Sequence, residues 1–546
     1  MLAEKLLIQQ RDRYVAAVSA SWLGRERELL ISLVRALDVA AYTNRYARRP
    51  ETTDAWLRLR GAATALRPLL EAVHGMPGGI PWFPSNPNLS AAFDNHLLNC
   101  GRFAVAIRWA AMERYGIATA KVLASDRIAI EFVANDEEMA EVALGHAAKD
   151  RAREDARALF PNLSGELPEV RRRLRRYGKA AMGWFIGYDN DEFLVGHYRS
   201  QASIEAAGIV EAEALPPAGI IGGRPFGEWT EASTAALGTV LHHIDAVGML
   251  HRRKPKLDMR NLMTVYARRD DVVDVLEERG NDAARARQLM EGLTLDADGA
   301  AYSEARHEIP LPYYIDAGEH FVLLPMFGGF INPHAGLLEH LRRNYRRDWD
   351  SIVDGREDIF RRELRQLLPE PRYMLLETGL KLRRKDGSTL TDADAVVLDR
   401  DTGDVVFVQL KWYDVYGFSL AERGSRRDNL LTKGNEWVAK VHAWIDGRTS
   451  AEIAKAYGWG EAGDAVPRLL VMARHSSRFA GERRYDDRAS WTSWHALTEA
   501  VRDPACEGFV AAMSRPPHCA FSQGNTDGVS VFNLPGITVE ARTARV

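Results

Sequence analysis

The sequence predicts a multidomain α+β chain with a mainly helical amino-terminal region, a mixed middle region and a carboxy-terminal α/β domain built on a central mixed sheet. Three observations predict it. At 546 residues the chain exceeds the roughly 250–300 residues at which a single hydrophobic core stops growing. Hydrophobic residues make up 46% and charged residues 27%, the balance of folded globular chains rather than disordered or fibrous ones. The pattern also changes after Arg347, to one helix followed by three strand-like runs.

Residues 1–177 form the expected helical domain, because apolar residues return every three or four positions through LLISLVRALDVAAY and AWLRLRGAATALRPLLEAV. The Gly- and Pro-rich stretch GMPGGIPWFPSNPN, from Gly75 to Asn88, reads as a connector or small lid. RIAIEFVA, starting at Arg127, alternates like an isolated strand. Residues 178–347 make a weakly delimited middle region with strand-like runs AMGWFIGYD and HFVLLPMF. Residues 348–546 make the third unit. Here a helix, GREDIFRRELRQLL, closed by Pro369 and Pro371, precedes three strands: YMLLETGLKLRR, DADAVVLD and VVFVQLKWY, with turns at Lys385-Asp386-Gly387 and Asp401-Thr402-Gly403-Asp404. A polar loop, a helix through Trp437 and Trp444, the strand RLLVMAR and the helix TSWHALTEAV complete an α/β unit.

Composition narrows the function classes. Lys and Arg total 72 against 75 Asp and Glu, a net charge of -3, so a case for nucleic-acid binding rests on local patches and not on the whole molecule. Cys100, Cys506 and Cys519 have spacings of neither a zinc site nor a disulfide framework. The amino terminus lacks the apolar core of a signal peptide, and no window approaches the roughly 18 apolar residues of a membrane span. A cytoplasmic protein without membrane attachment is expected, and an oligomer is compatible with the sequence.

The chemistry concentrates in the third unit. Alternation puts Asp392 and Asp394 on one face of their strand, and Phe407, Gln409 and Lys411 on one face of the next. A buried Asp or Lys is costly unless it is paired or bound to a metal. On the preceding helix Glu363 lies four residues from both Ile359 and Leu367, so it projects from the apolar face and needs a partner, whereas Glu357 and Arg361 reach solvent. Glu377, among buried alternating neighbours, is the competing carboxylate. Both stay open, Glu363 ranked first.

With these residues the segment from Gly355 to about Val539 resembles the PD-(D/E)XK, or restriction-endonuclease-like, superfamily, in a QxK variant similar to the Mrr branch. Asp394 looks like the metal-binding aspartate of that family and Gln409-Leu410-Lys411 like its third motif, Gln standing where Glu or Asp is commoner. The resemblance implies a nuclease that hydrolyses phosphodiester bonds, in DNA by expectation, with Mg2+ (or Mn2+) as cofactor and a 5'-phosphate and 3'-hydroxyl as products. It implies Asp394, Gln409, the Leu410 carbonyl and Glu363 (or Glu377) as ligands, and Lys411 as the group that positions water and steadies phosphate charge. A bacterial defence or restriction effector is the implied setting, the helical region receiving a protein partner, a nucleic acid or a trigger. The alternative is an inactive scaffold or nucleic-acid-binding subunit that keeps the nuclease fold, and Gln409 is the residue that suggests it.

Arg423, Arg426, Arg427 and Lys433, interleaved with Gly417, Gly424 and Gly434, form the expected loop that follows a nucleic-acid backbone by phosphate contacts. Basic runs at Arg171 to Arg176 and Arg252 to Lys256 read as solvated helix faces. His242, His243, Asp245 and His251 lack a third ligand at convincing spacing and read as structural. Arg67 to His74 and Arg488 to His495 both match the loose Arg-six-residues-His pattern of HEPN ribonucleases, which shows how cheaply it arises. No glycine pair carries the Lys and Ser/Thr of a P-loop.

Overall fold

The computed structural model describes residues 2–46, 51–133, 136–278, 281–353, 355–415, 417, 419–481, 483–515 and 530–543. Cys519 lies outside the described residues. The architecture is α+β, and no helix among the described residues is long and apolar enough to cross a membrane.

The helix Glu26–Tyr46 is buried on nearly every side from Leu29 to Asp38, as expected of a helix hydrophobic all round. It is the axis of one continuous core that runs from Trp22 to Trp349 and unites Leu66 and Leu97 with Trp229 and Phe327. The expected boundary between residues 177 and 178 therefore falls inside a shared core. Buried Asp38 ties this core together, accepting from Thr264 Oγ1 at 2.6 Å and from the amides of Met326 and Phe327 at 2.7 and 3.0 Å. The Gly75–Asn88 stretch is fastened rather than lid-like. Arg35 donates to the Phe83 carbonyl at 2.7 Å, and Trp82 meets Trp184 and Phe185 edge to face.

The strand over RIAIEFVA is not isolated. β1 (Ala118–Ala124) and β2 (Arg127–Phe132) join β10 (Ser530–Leu534) and β11 (Ile537–Thr543) in one four-stranded sheet, β11 running parallel to β2. Residues 530–543 thus belong with the amino-terminal unit and not with the third unit, where the sequence places them. Three helices follow β2 and matter below: α1 (Asp136–Ala158), α2 (Leu163–Tyr177) and α3 (Phe226–Arg253).

The third unit opens with α4 (Arg356–Leu367) and holds β3 (Tyr373–Leu375), β4 (Leu380–Arg383), β5 (Thr389–Ala393), β6 (Ala395–Asp399) and β7 (Asp404–Lys411). Then come α5 (Leu420–Ile445), β8 (Arg468–Ala473), β9 (Ser490–Ser493) and α6 (Trp494–Arg502). Five strands make a mixed sheet in the order β3-β6-β7-β8-β9, antiparallel on the β3 side and parallel from β7 onward. Alternation sorts its side chains. Val406, Val408 and Leu410 face Phe360 and Leu364 of α4, whereas Val405 and Phe407 face Trp437, Val438 and Val441 of α5.

Two expected strands are each broken in two, because β4 and β5 leave the sheet as a separate antiparallel ribbon. The break falls at Asp394, between β5 and β6, so Asp392 and Asp394 do not sit on one regular strand. The expected Arg-rich loop is helical from Leu420, where the Ser419 side chain accepts from the Glu422 amide and caps α5. Its glycines serve close packing. A Cβ on Gly424 would lie 2.3 Å from the Tyr115 ring, and one on Gly434 would lie 2.4 Å from the Trp491 ring.

Candidate active site

Asp394 sits where the ribbon leaves the sheet, one residue before β6, and the register Ala395↔Val408 brings it against Gln409. Its Oδ2 accepts from the Leu410 amide at 2.7 Å and from the Gln409 side-chain nitrogen. The backbone of Asp394 is held as well, since Arg361 of α4 donates to its carbonyl. The side chain is 8% exposed. Burial pushes its pKa up from 3.8 to about 6, Lys411 opposes that rise, and Glu357 adds to it by like-charge repulsion.

Lys411 ends β7, largely buried, with Nζ 3.3 Å from Glu357 Oε1. Glu357 and Arg361 stand four residues apart on one face of α4, and that face meets Asp394 and Lys411. Sequence reasoning gave this face to solvent. The i,i+4 spacing of an acid and a base was the available signal, but nothing local says that the end of the sheet lies beneath it.

Glu363 is elsewhere. It stands about a third of a turn from Glu357 around the helix and pairs with Arg474, which also binds Glu213 Oε2 at 2.8 Å. The Arg474 guanidinium lies 4.7 Å from the Trp412 ring centroid and 5.4 Å from those of Phe360 and Trp494. The partner Glu363 needs is thus Arg474, not Lys411. Glu377 falls in the bend between β3 and β4, its side chain 89% exposed and 3.9 Å from Arg365. It does not join Asp394.

Three of the four basic residues expected on a loop are spent on structure. Arg423 is buried against Glu138 of α1, Arg426 reaches Asp414, and Arg427 contacts Asp428 and the Tyr115 carbonyl. Lys433 alone is exposed, with no ion pair among the described residues. His243 bridges Tyr188 and the Leu262 carbonyl, a structural role that agrees with the reading from spacing.

A divalent ion is compatible with the site. Among the described residues no three His, Cys, Asp or Glu side chains converge on one point. Mg2+, however, commonly keeps several waters and takes only one or two carboxylates. Asp394 Oδ1 and the Gln409 amide oxygen accept no hydrogen bond among the described residues. They are oxygen donors of the right hardness, and a cation would relieve the unfavourable burial of the Asp394 charge.

Beside Lys411 opens a cavity of about 350 Å³, walled by Tyr413, His475 and His495 on one side and by His146 and Lys149 of α1 on the other. Burial pulls His475 down to about 3, so it is neutral at physiological pH, and both ring nitrogens lack a hydrogen-bond partner among the described residues. No protein-family model matches this chain, and neither a curated protein nor a solved structure matches it.

Proposed function

We propose that the chain is a metal-dependent nuclease, acting on DNA, with Asp394 and Lys411 at its centre and Glu357 as the helix carboxylate in place of Glu363 or Glu377. One observation carries this reading: the side chain of a buried aspartate is bound by Gln409 and Leu410, and Lys411, the next residue, is paired with a carboxylate from the preceding helix. The order helix, strand, aspartate, strand with Gln-x-Lys, helix, parallel strand supports the restriction-endonuclease-like resemblance.

A bound Mg2+ or Mn2+ would be held by Asp394, the Gln409 amide oxygen, the Leu410 carbonyl and Glu357, and would supply charge neutralisation at the phosphate. Lys411 orients the attacking water and stabilises negative charge on the phosphate oxygens. Water adds to phosphorus as the bond to the 3'-oxygen breaks, leaving a 5'-phosphate and a 3'-hydroxyl. Glu357 holds the Lys411 ammonium in place.

The second reading is a nuclease-fold scaffold without catalysis, and the lack of three converging acidic or imidazole ligands among the described residues favours it. Purified protein with Mg2+ or Mn2+ and plasmid or single-stranded DNA separates the two. Wild type is expected to nick, and Asp394→Ala and Lys411→Ala to fall by about 10³-fold or more, as for loss of groups acting directly in the chemistry. Equal nicking by all three proteins refutes the catalytic reading, and DNA binding without nicking supports the scaffold.

Choice of the helix carboxylate has its own test. Glu357→Gln is expected to lower the cleavage rate by about 10–100-fold, because the amide keeps an oxygen donor for the ion but loses the charge that binds it and holds Lys411. Glu377→Gln is expected to stay within about twofold of wild type, since its side chain is in solvent. A larger loss for Glu377→Gln than for Glu357→Gln would return Glu377 to the site.

A further inference from the structure

Two basic runs far apart in sequence come together where α2 packs on α3. Most of their arginines have partners. Arg172 pairs with Glu169, Arg173 with Glu169 and Asp191, Arg176 lies over the Tyr177 ring, and Arg253 donates to the carbonyls of Arg175 and Gly178. Arg171, Arg175 and Arg252 differ. All three line one cavity of about 410 Å³, and none makes an ion pair or side-chain hydrogen bond among the described residues.

Arg171, Arg175 and Arg252 are exposed and stand together around the concavity, and Asp245 is the one carboxylate in its lining, drawn electrostatically to Arg252 and Arg171. Three cations against one anion leave the concavity with an excess of positive charge that a bound anion would offset. The volume falls within the roughly 300–1,000 Å³ of small-molecule sites. Guanidinium groups favour phosphate, which they bind through paired N–H donors.

The rest of the lining asks for more than bare phosphate. Val170, Leu174 and Met249 present apolar surface, and Asp245 reaches the same cavity. Its Oδ2 accepts from the Tyr198 hydroxyl at 2.9 Å, and its Oδ1 accepts nothing among the described residues. A carboxylate beside an anion site is unfavourable unless the ligand also carries hydrogen-bond donors. A sugar hydroxyl or a base amino group is such a donor, and a base covers apolar surface.

We propose that this cavity binds a phosphorylated nucleoside, with Arg171, Arg175 and Arg252 on the phosphate and Asp245 on a sugar hydroxyl or base amino group. The ligand is either a free nucleotide or the 5'-terminal nucleotide of a strand. The site is separate from Asp394 and independent of the nuclease reading.

Titration calorimetry on the full chain, with divalent metal chelated so that no cleavage occurs, tests it. The probes are adenosine and guanosine mono- and triphosphates, a 5'-phosphorylated single-stranded oligonucleotide, its 5'-hydroxyl counterpart, and pyrophosphate. At least one nucleotide probe is expected to bind with sub-millimolar affinity. Arg171→Ala/Arg175→Ala is expected to weaken it at least tenfold, and Arg172→Ala, on a paired arginine, to leave it unchanged. Asp245→Asn is expected to weaken the nucleotide and to leave pyrophosphate unaffected. Binding of free nucleotides identifies a small ligand, and binding of the 5'-phosphorylated strand but not its 5'-hydroxyl twin identifies a strand end. The proposal is overturned if no probe binds below millimolar, if the double variant binds like wild type, or if pyrophosphate binds as tightly as every nucleotide. Asp394→Ala distinguishes the two sites, because it is expected to abolish cleavage and keep this binding.

Discussion

Asp394→Asn is expected to make the protein more stable at pH 7 by up to about 3 kcal/mol while it removes the proposed cleavage. Burial raises the folded-state pKa of Asp394 from 3.8 to about 6, roughly two units at 1.36 kcal/mol each. Between those values the folded state binds the proton more tightly than the unfolded state. Stability therefore falls as pH rises through that window, and above about pH 6 the full cost of an ionised, desolvated carboxylate is present. Asparagine has no such cost, and its oxygen can still accept from the Leu410 amide and the Gln409 side chain. Urea denaturation of both proteins at pH 7 and pH 4 measures the effect: the gain should be near full at pH 7 and nearly gone at pH 4. A variant less stable than wild type at pH 7, or a gain equal at both values, would rule out a strained carboxylate. The same proton competes with a cation, so Mg2+ affinity of the wild type should fall by about tenfold per unit below pH 6.

What the residues revealed and what they concealed divide along range of interaction. Alternation over Val406 to Lys411 is local, so the face carrying Gln409 and Lys411 was legible, as was the pairing of that strand with the one after Asp394. The helix carboxylate was not. That Glu363 needs a partner follows from the apolar face of α4, but the partner, Arg474, comes from the far end of β8 and is held among Phe360, Trp412 and Trp494. Glycines misled in a similar way. Gly424 and Gly434 read as loop residues, yet each is a place where α5 lies against a ring, Tyr115 or Trp491, supplied from far away in sequence. The pairing of β11 with β2 joins Thr538–Thr543 to Arg127–Phe132, far apart in sequence, and neither strand alone specifies it.

Removing either partner of the Glu138–Arg423 pair is expected to destabilise the protein by about 3–5 kcal/mol, the range for stranding one charge of a buried pair. Glu138 lies on α1 and Arg423 on α5, their side chains 11% and 5% exposed. Glu138 also accepts from the Ala480 amide at 2.8 Å, and one helical turn on, Glu141 accepts from the amides of Ser477 and Arg478 at 2.7 and 2.8 Å. One face of α1 thus serves as a carboxylate clamp on the loop that follows β8, beside the cavity at Lys411. In Glu138→Ala the Arg423 charge stays in the same low-dielectric setting without its carboxylate, and the Ala480 amide loses its acceptor. In Arg423→Ala the carboxylate keeps that amide but loses the cation. Neither charge remains in the double variant, so its loss should fall short of the sum of the singles by about 2 kcal/mol or more. Urea denaturation of the four proteins closes the cycle. Single losses under about 1 kcal/mol would mean that solvent reaches the pair and that α1 is held to the third unit by apolar contacts instead. Losses of the expected size make α1 an integral wall of the cavity beside Lys411, and Glu138→Ala should then also alter the proposed cleavage, because the loop it holds at Ala480 borders that cavity at Phe479.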